Sequence, residues 1–251
     1  MRGAAGVRAR PPLPEDLLLL ALESATRFAS VALLRGGALL AELTATGARP
    51  HSERLLPTVD RVLAAAGVAL AEVGGFAVSI GPGSFTGLRV GVATLKGLVF
   101  GDARPVVAVP TLAALAAGAT GSAHPVVACL DARRGEVYAA VYGPGAAREP
   151  LVVEGLFTPE GLARVAPRPC TLVGCVGEEA VLEAVGAALG GDALRVEATP
   201  PRALHVGRLG LALLARGETV AASELVPRYL RRAEAEARRL GERLEETRCR
   251  D

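Results

Sequence analysis

Tryptophan is absent from this chain, methionine occurs once, and aromatic residues make up only 3% of it. A core without large rings must be packed from Ala, Val and Leu, and an apolar content of 51% supplies enough of them. Lysine is nearly missing too: Lys96 is the one lysine among 28 basic residues. The net charge is +2, and the arginines are scattered among acids, which argues against a basic face built for nucleic acid. The Arg, Ala and Gly bias reads instead as the codon composition of the source. Four cysteines, Cys129, Cys170, Cys175 and Cys249, show no zinc-ligand spacing and are too few to staple 251 residues, so the expected location is the reducing cytoplasm. Cys129 and Cys175 lie in apolar runs and read as small buried hydrophobes. No apolar run approaches the roughly 18 residues that would cross a bilayer, so no membrane partner is expected. Arg2, Arg8 and Arg10 before Leu17–Leu22 imitate a secretion signal, but Glu23 and Arg27 interrupt that run below the minimum signal core of about 7 residues.

The patterning that is present is α/β. "LLLLALESATRFASVALLRGGALLAELTAT" alternates apolar runs with a polar turn at Ser24–Arg27 and a Gly36-Gly37 turn, which predicts a three-stranded meander. In "HSERLLPTVDRVLAAAG", Leu55, Val59, Val62 and Ala66 recur at helical steps, and Gly67 ends the helix. Further strands are expected at Phe76–Ile80 and Val106–Val109, with a helix from Thr111 to Ala117 that Thr111 would cap. After "GATGSAH" the pattern restarts: "PVVACLDARRGEVYAAVY" carries an apolar run ending in a carboxylate, a polar turn and a second run. Setting Glu23 on Asp131 brings Val31, Ala32 and Leu33 onto Ala139, Ala140 and Val141 without a gap, a duplication that predicts two similar α/β domains. The later chain reads as a helix near 159, strand 171–176, helix 178–189, strand 194–197 and a helix from 203 to about 216.

The segment "SIGPGSFTGLRVGVATLKGLVFG" fails each motif it imitates. A P-loop needs Gly-Lys together, a dinucleotide fingerprint needs glycine where Thr86 stands, and a nucleophile elbow needs glycines two residues either side of Ser84. Ser84 reads as the N-cap of a helix from Phe85 to about Phe100. On that helix Arg89 and Lys96 share one edge, Leu88, Val92, Leu95 and Val99 form a bulky stripe, and Gly87, Gly91, Thr94 and Leu98 line the side opposite the cations. A helix apolar nearly all round needs cover nearly all round. Residues 52–66 of the same chain could supply it. The amount of apolar stripe on both helices favours an exposed pair, Leu55, Leu56, Val59, Val62 and Leu63 with Gly87, Gly91, Thr94 and Leu98, that meets another subunit.

Catalytic constellations are missing. His51, His124 and His205 form no metal-binding pair, which removes a metallopeptidase reading, and His51 reads as a capping or surface residue. Glu23 and Asp131 end equivalent strands and could face each other across a cleft as a kinase or nucleotide-binding ATPase would require. The turns after them, "SATR" and "ARRG", lack the glycines and hydroxyls that wrap phosphates, so hydrogen-bonded turn carboxylates are the safer reading.

Taken together, "HSERLLPTVDRVLAAAG", "GPGSFTGLRVG", "CLDARRGEVYAAVY" and "VPRYLRR" resemble the TsaB family over about Leu18 to Arg232. The resemblance implies two ribonuclease-H-like domains of the actin/sugar-kinase/Hsp70 superfamily. The patterning, with this resemblance, divides the chain into a disordered extension at 1–14, a first domain at 15–120 completed by a returning C-terminal helix at 203–235, a smaller second domain at 121–202 and a charged helical tail at 236–251. It implies a non-catalytic subunit in N6-threonylcarbamoylation of the tRNA adenosine beside the anticodon. Such a subunit would form a homodimer through the two helices, exchange that contact for the ligase TsaD, and join the ATPase TsaE. No cofactor would be bound by the chain alone, nucleotide could sit at the seam with partners, and tRNA would be reached through the complex. The segment "VPTLAALAAGA" has no histidine, unlike the ligase, and Glu23 stands where many relatives have Asp.

Overall fold

The computed structural model describes residues 13–47, 50–145, 150–191, 193–195, 198 and 200–231. Strand β1 (Leu18–Glu23) is buried along its whole length because it is the central strand of its sheet, which explains its unbroken apolar run. It pairs antiparallel with β2 (Ala29–Arg35), which pairs with β3 (Ala38–Ala45). On its other side lie β4 (Gly75–Gly81) and β5 (Val106–Pro110), both parallel, giving the order β3-β2-β1-β4-β5. Helices α1 (His51–Ala66) and α2 (Phe85–Leu98) arise from the connections around β4, and α3 (Thr111–Ala117) follows β5. Gly67, at φ 65°, takes the left-handed conformation that ends α1 at the position read from the sequence.

The second sheet repeats the first. Its elements are β6 (Val126–Arg133), β7 (Glu136–Tyr142), β8 (Pro150–Phe157), α4 (Pro159–Val165), β9 (Cys170–Val173), α5 (Glu179–Leu189) and β10 (Ala193–Arg195), in the order β10-β9-β6-β7-β8. Strand for strand this is the first sheet again, with antiparallel hairpins on one side of β6 and the parallel β9 on the other. The gapless alignment needs one correction. Leu22 faces Val31 in the first hairpin, whereas Leu130 faces Tyr138 in the second, so the equivalent of Val31 is Tyr138 rather than Ala139. The turn after β6 is one residue tighter, with Arg133, Arg134 and Gly135 all at positive φ.

Helix α6 (Ala203–Ala215) returns to the first sheet. Ser30 Oγ and Glu42 Oε1 accept the N–H groups of Ala203 and Leu204, 3.1 and 3.0 Å away, so the sheet itself caps this helix. One face of the first sheet is covered by α1 and α2, the other by α6 and part of α3. The opposite face of α3 packs with Leu112, Leu115 and Ala116 on the second sheet, whose far face carries α4 and α5. The expected helix over 203–235 stops at Ala215, because Gly217 turns at φ 77° and the chain then runs extended along the first domain. Val220 N–H bonds to Val106 O, Lys96 Nζ to Ser223 O, and Arg228 N–H to Ile80 O. Leu13, inside the expected 1–14 extension, packs against the core under α6. Residues 1–12, 232–235 and the expected tail at 236–251 lie outside the described residues.

Two caps illustrate how side chains choose between local and long-range partners. Ser84 Oγ accepts the Gly87 N–H at 3.3 Å and caps α2 as expected. Thr111 does not cap α3; it is the first helical residue after Pro110, and its buried hydroxyl accepts the Gly81 N–H at 3.1 Å. Pairing a buried backbone donor outweighs the terminal cap.

The bulky stripe of α2 is buried as its pattern requires, with Leu88 and Leu95 fully enclosed. Its glycine strip is buried as well, in the chain's own domain. A Cβ on Gly87 would lie on the carbonyl oxygen of Ser24, and one on Gly91 on the Ser24 hydroxyl, whereas one on Gly97 would meet nothing within 4 Å. Gly87→Ala should therefore cost about 1–3 kcal/mol by overpacking. Gly97→Ala, on the open side of the same helix, should stabilise by about 0.5–1 kcal/mol. Urea denaturation of both variants checks the contrast; equal midpoints would place α2 differently.

Candidate functional site

Two places gather the residues singled out by sequence. The first is the cleft between the two sheets, where the β1–β2 turn of one domain faces the β6–β7 turn of the other. It encloses a cavity of about 570 Å³, reached also by the loop 82–85, Gly177 and Glu178, and the strap 228–231. Asp131 lines this cavity and Glu23 does not. Glu23 is wholly buried beneath its turn: the Ala25 N–H bonds to Oε1 at 2.6 Å and Oε2 has no hydrogen-bond partner. Burial, opposed by the hydrogen bonds from Ala25, Ser79 and Ser24, pushes its carboxyl up from 4.5 to about 7. Asp131 turns back on its own hairpin, with Oδ1 accepting the Arg133 N–H at 2.7 Å and Oδ2 3.0 Å from the Arg133 guanidinium. Its own N–H donates to Glu178 Oε2 at 2.8 Å. The geometry of both residues is that of turn carboxylates holding backbone, and no phosphate-wrapping loop follows either of them.

Arginines supply most of the charge in this cleft, a feature that the scatter along the sequence conceals. Arg27 comes from the first turn, Arg133 and Arg134 from the second, Arg228 and Arg231 from the strap. Arg27 crosses to the second domain, its guanidinium lying where a Gly177 side chain would be. Arg231 bonds to Ala132 O at 2.6 Å and to the Glu136 carboxylate, and Arg228 Nε lies 2.7 Å from Glu154. On the first-domain side, Tyr229 stacks on Phe85 with ring centres 4.6 Å apart, and Arg89 Nε donates to the Tyr229 hydroxyl at 3.1 Å. The strap thus ties α2 to the second sheet. His51 opens α1 and its Nε2 lies 3.1 Å from Phe28 O, which requires the Nε2–H tautomer and pins the helix to the first turn. The one sequence signal for this cluster was that "SATR", "ARRG" and "VPRYLRR" each carry arginine at a turn or extended segment.

The second place is the outer side of α1 and α2, and here the expected contact residues need correction. Leu55, Val59, Val62 and Leu63 are buried in the first-domain core, and Gly87 and Gly91 are buried against Ser24, so none of these six can meet a partner. Leu56 is 48% exposed, and Thr94 and Leu98 are half-buried. The exposed positions of α2 lie one residue away from the predicted ones, at Thr86, Ala93 and Gly97, with Val90 half-buried among them and the exposed Phe100 beyond. The two cations edge this row, Arg89 held by Tyr229 of the strap and Lys96 by the Ser223 carbonyl.

Comparison with known proteins gives the chain's relatives. Residues 39–162 match the family described as TsaD, tRNA N6-adenosine threonylcarbamoyltransferase. Over 126 residues the chain is 43% identical to the tRNA threonylcarbamoyladenosine biosynthesis protein TsaB of Haemophilus influenzae and 40% identical to that of Escherichia coli. These matches cover 49% of this chain in each case, and 53% and 54% of the relatives, so they span about half of those proteins. The solved structure of YeaZ from Pseudomonas aeruginosa is matched over its full length and 85% of this chain, with 36% identity and a TM-score of 0.70. The chain belongs to the TsaB/YeaZ family. The two sheets of one topology accordingly form a two-domain ribonuclease-H-like fold. Among the described residues of this TsaB/YeaZ member, no group of three His, Cys, Asp or Glu side chains is placed to hold a metal ion, and no helix is long and apolar enough to cross a membrane. Cys129 and Cys175 are buried, and desolvation with the nearby Glu178 pushes both thiols up to about 12.

The buried Glu23 has a measurable consequence. Its native pKa of about 7 lies above the ordinary 4.5, so as pH rises the unfolded chain releases this proton first and stability falls between those values. The loss is on the order of 3 kcal/mol and is complete by about pH 8. Glu23→Gln should flatten stability between about pH 5 and pH 8, measured by urea denaturation at both; wild-type and variant profiles running parallel would refute the burial.

Proposed function

We propose that this chain acts in the biosynthesis of tRNA threonylcarbamoyladenosine as a non-catalytic subunit. It would bind a TsaD-like ligase through the outer side of α1 and α2, and a second copy of itself through the same surface when the ligase is absent. A TsaE-like ATPase completes the assembly, and nucleotide, where it enters, sits at a seam between subunits. The observation that carries this reading is the row Thr86, Ala93 and Gly97, exposed on α2 with the half-buried Val90 between them, together with the exposed Leu56 on α1. Small residues let the backbone of a facing helix approach closely, and a stripe of this length on a helix already seated on its own sheet has no further intramolecular use. Family membership directs the choice of pathway. The match of 39–162 to the ligase family fits a partner built on a related domain, able to present an equivalent helix pair.

A small-molecule kinase of the same superfamily is the alternative raised by Glu23 and Asp131. The enclosure of Glu23 and the commitment of Asp131 to Arg133 weigh against it.

Ala93→Arg places a long cation on the open stripe without touching the core. It should leave the thermal midpoint unchanged within about 2 °C. In co-purification with the TsaD-like subunit and in light scattering, both the complex and the homodimer should be lost. Retention of the complex with this variant would move the interface elsewhere.

A further inference from the structure

We infer that the interdomain cleft binds single-stranded RNA through its arginines, so that this subunit contacts the nucleic acid itself. Arg27, Arg133, Arg134, Arg228 and Arg231 come from three segments far apart in sequence and line one cavity, against two carboxylates, Asp131 and Glu178. The charge that looked scattered along the chain is therefore gathered in space. Asp131 is occupied by the backbone and guanidinium of Arg133, and Glu178 by the Asp131 N–H. Glu136 and Glu154, which pair Arg231 and Arg228, lie outside the cavity lining. Arg133 is 85% exposed and Arg228 46% exposed in their pairs. The Arg133 pair, open to water, is weak and a phosphate that accepts several guanidinium hydrogen bonds can displace it, whereas Arg228, paired with the buried Glu154, and Arg231, paired with the half-buried Glu136, stay in place and contribute their charge to the cleft.

The β6–β7 turn supplies an independent observation. Arg133 and Arg134 sit at φ 67° and 59°, a left-handed pair that favours glycine or asparagine. Arginine suits this backbone poorly, but its guanidinium suits a phosphate docked against the turn. At the mouth, Tyr229 is fixed on Phe85 and 37% exposed, a platform on which an unpaired base can stack. A cavity of about 570 Å³ admits an extruded nucleotide or the turn of a loop and is too small for a duplex. The inference rests on the proposed function only in taking the RNA to be tRNA.

The test uses the full chain and a fluorescein-labelled tRNA anticodon stem–loop, followed by fluorescence anisotropy across salt concentrations. Binding should weaken with salt with a logarithmic slope of about −1.5 to −2, as two or three phosphate contacts require. The double variant Arg133→Gly/Arg134→Gly, which suits the turn's backbone and so preserves the fold, should bind on the order of tenfold more weakly and lower the slope by about 1. Arg27→Ala, in a different segment, should weaken binding in the same direction, and Arg164→Ala on the distant α4 should change nothing. No binding at low salt, or affinity indifferent to the double variant, overturns the inference. Competitive displacement of the RNA by ATP overturns it differently, by assigning the cleft to a free nucleotide. The ligase contact is read separately: Ala93→Arg that binds RNA normally but loses the ligase leaves both proposals standing, and one that keeps the ligase removes only the other.

Discussion

The seating of α2 on the β1–β2 turn decides which surfaces of this protein are closed and which are open. Ser24 Oγ donates to Gly87 O at 2.9 Å, the Ser84 N–H donates to Ala25 O at 2.6 Å, and the glycines at 83, 87 and 91 leave no side chain between helix and turn. Only residues without a Cβ allow this approach. Its consequence is rotational. With the glycine strip against Ser24 and the Leu88, Leu95 stripe on the sheet, Thr86, Ala93 and Gly97 are left facing outward, with Val90 half-buried among them. The same contact seals Glu23 under its turn, which removes it from the cleft and raises its pKa.

Duplication produced two equivalent turns, and they have diverged in use. The first is compressed beneath α2 and holds a buried acid; the second is one residue tighter, exposed, and carries two arginines in a conformation suited to glycine. The helix equivalent to α2 is α5, which follows β9 through Gly177 and reaches the second turn through Glu178, whose Oε2 accepts the Asp131 N–H. The C-terminal strap spans the gap. It binds α2 through Tyr229 and the second sheet through Arg228 and Arg231, so α2 and the arginine-lined cleft are joined by one short segment.

Much of this was legible in the sequence. Central strands announced themselves as unbroken apolar runs, and the repeat of strand, carboxylate and hairpin foretold two sheets of one topology. The stop at Gly67 and the cap at Ser84 are local chemistry, readable from neighbours alone. What was misread depended on contacts between distant residues. Helical periodicity groups Gly87, Gly91 and Thr94 on one side, but it cannot say that Ser24 occupies that side, and so the open stripe was placed one residue off. Thr111 looked like a cap because Gly81, its actual partner, lies 30 positions away in the chain. The arginine cluster was invisible for the same reason: three segments converge only when both domains and the strap are assembled.

The most direct test of the central claim is the accessibility of residue 93. In a Cys249→Ser background, an Ala93→Cys variant, with labelling by maleimide located by mass spectrometry, should react rapidly when the chain is dilute enough to be monomeric, because the cysteines at 129, 170 and 175 are buried and this position is not. Added TsaD-like subunit should shield it. A thiol at 93 that is unreactive in the monomeric chain, or equally reactive in the presence of the ligase, would contradict the account.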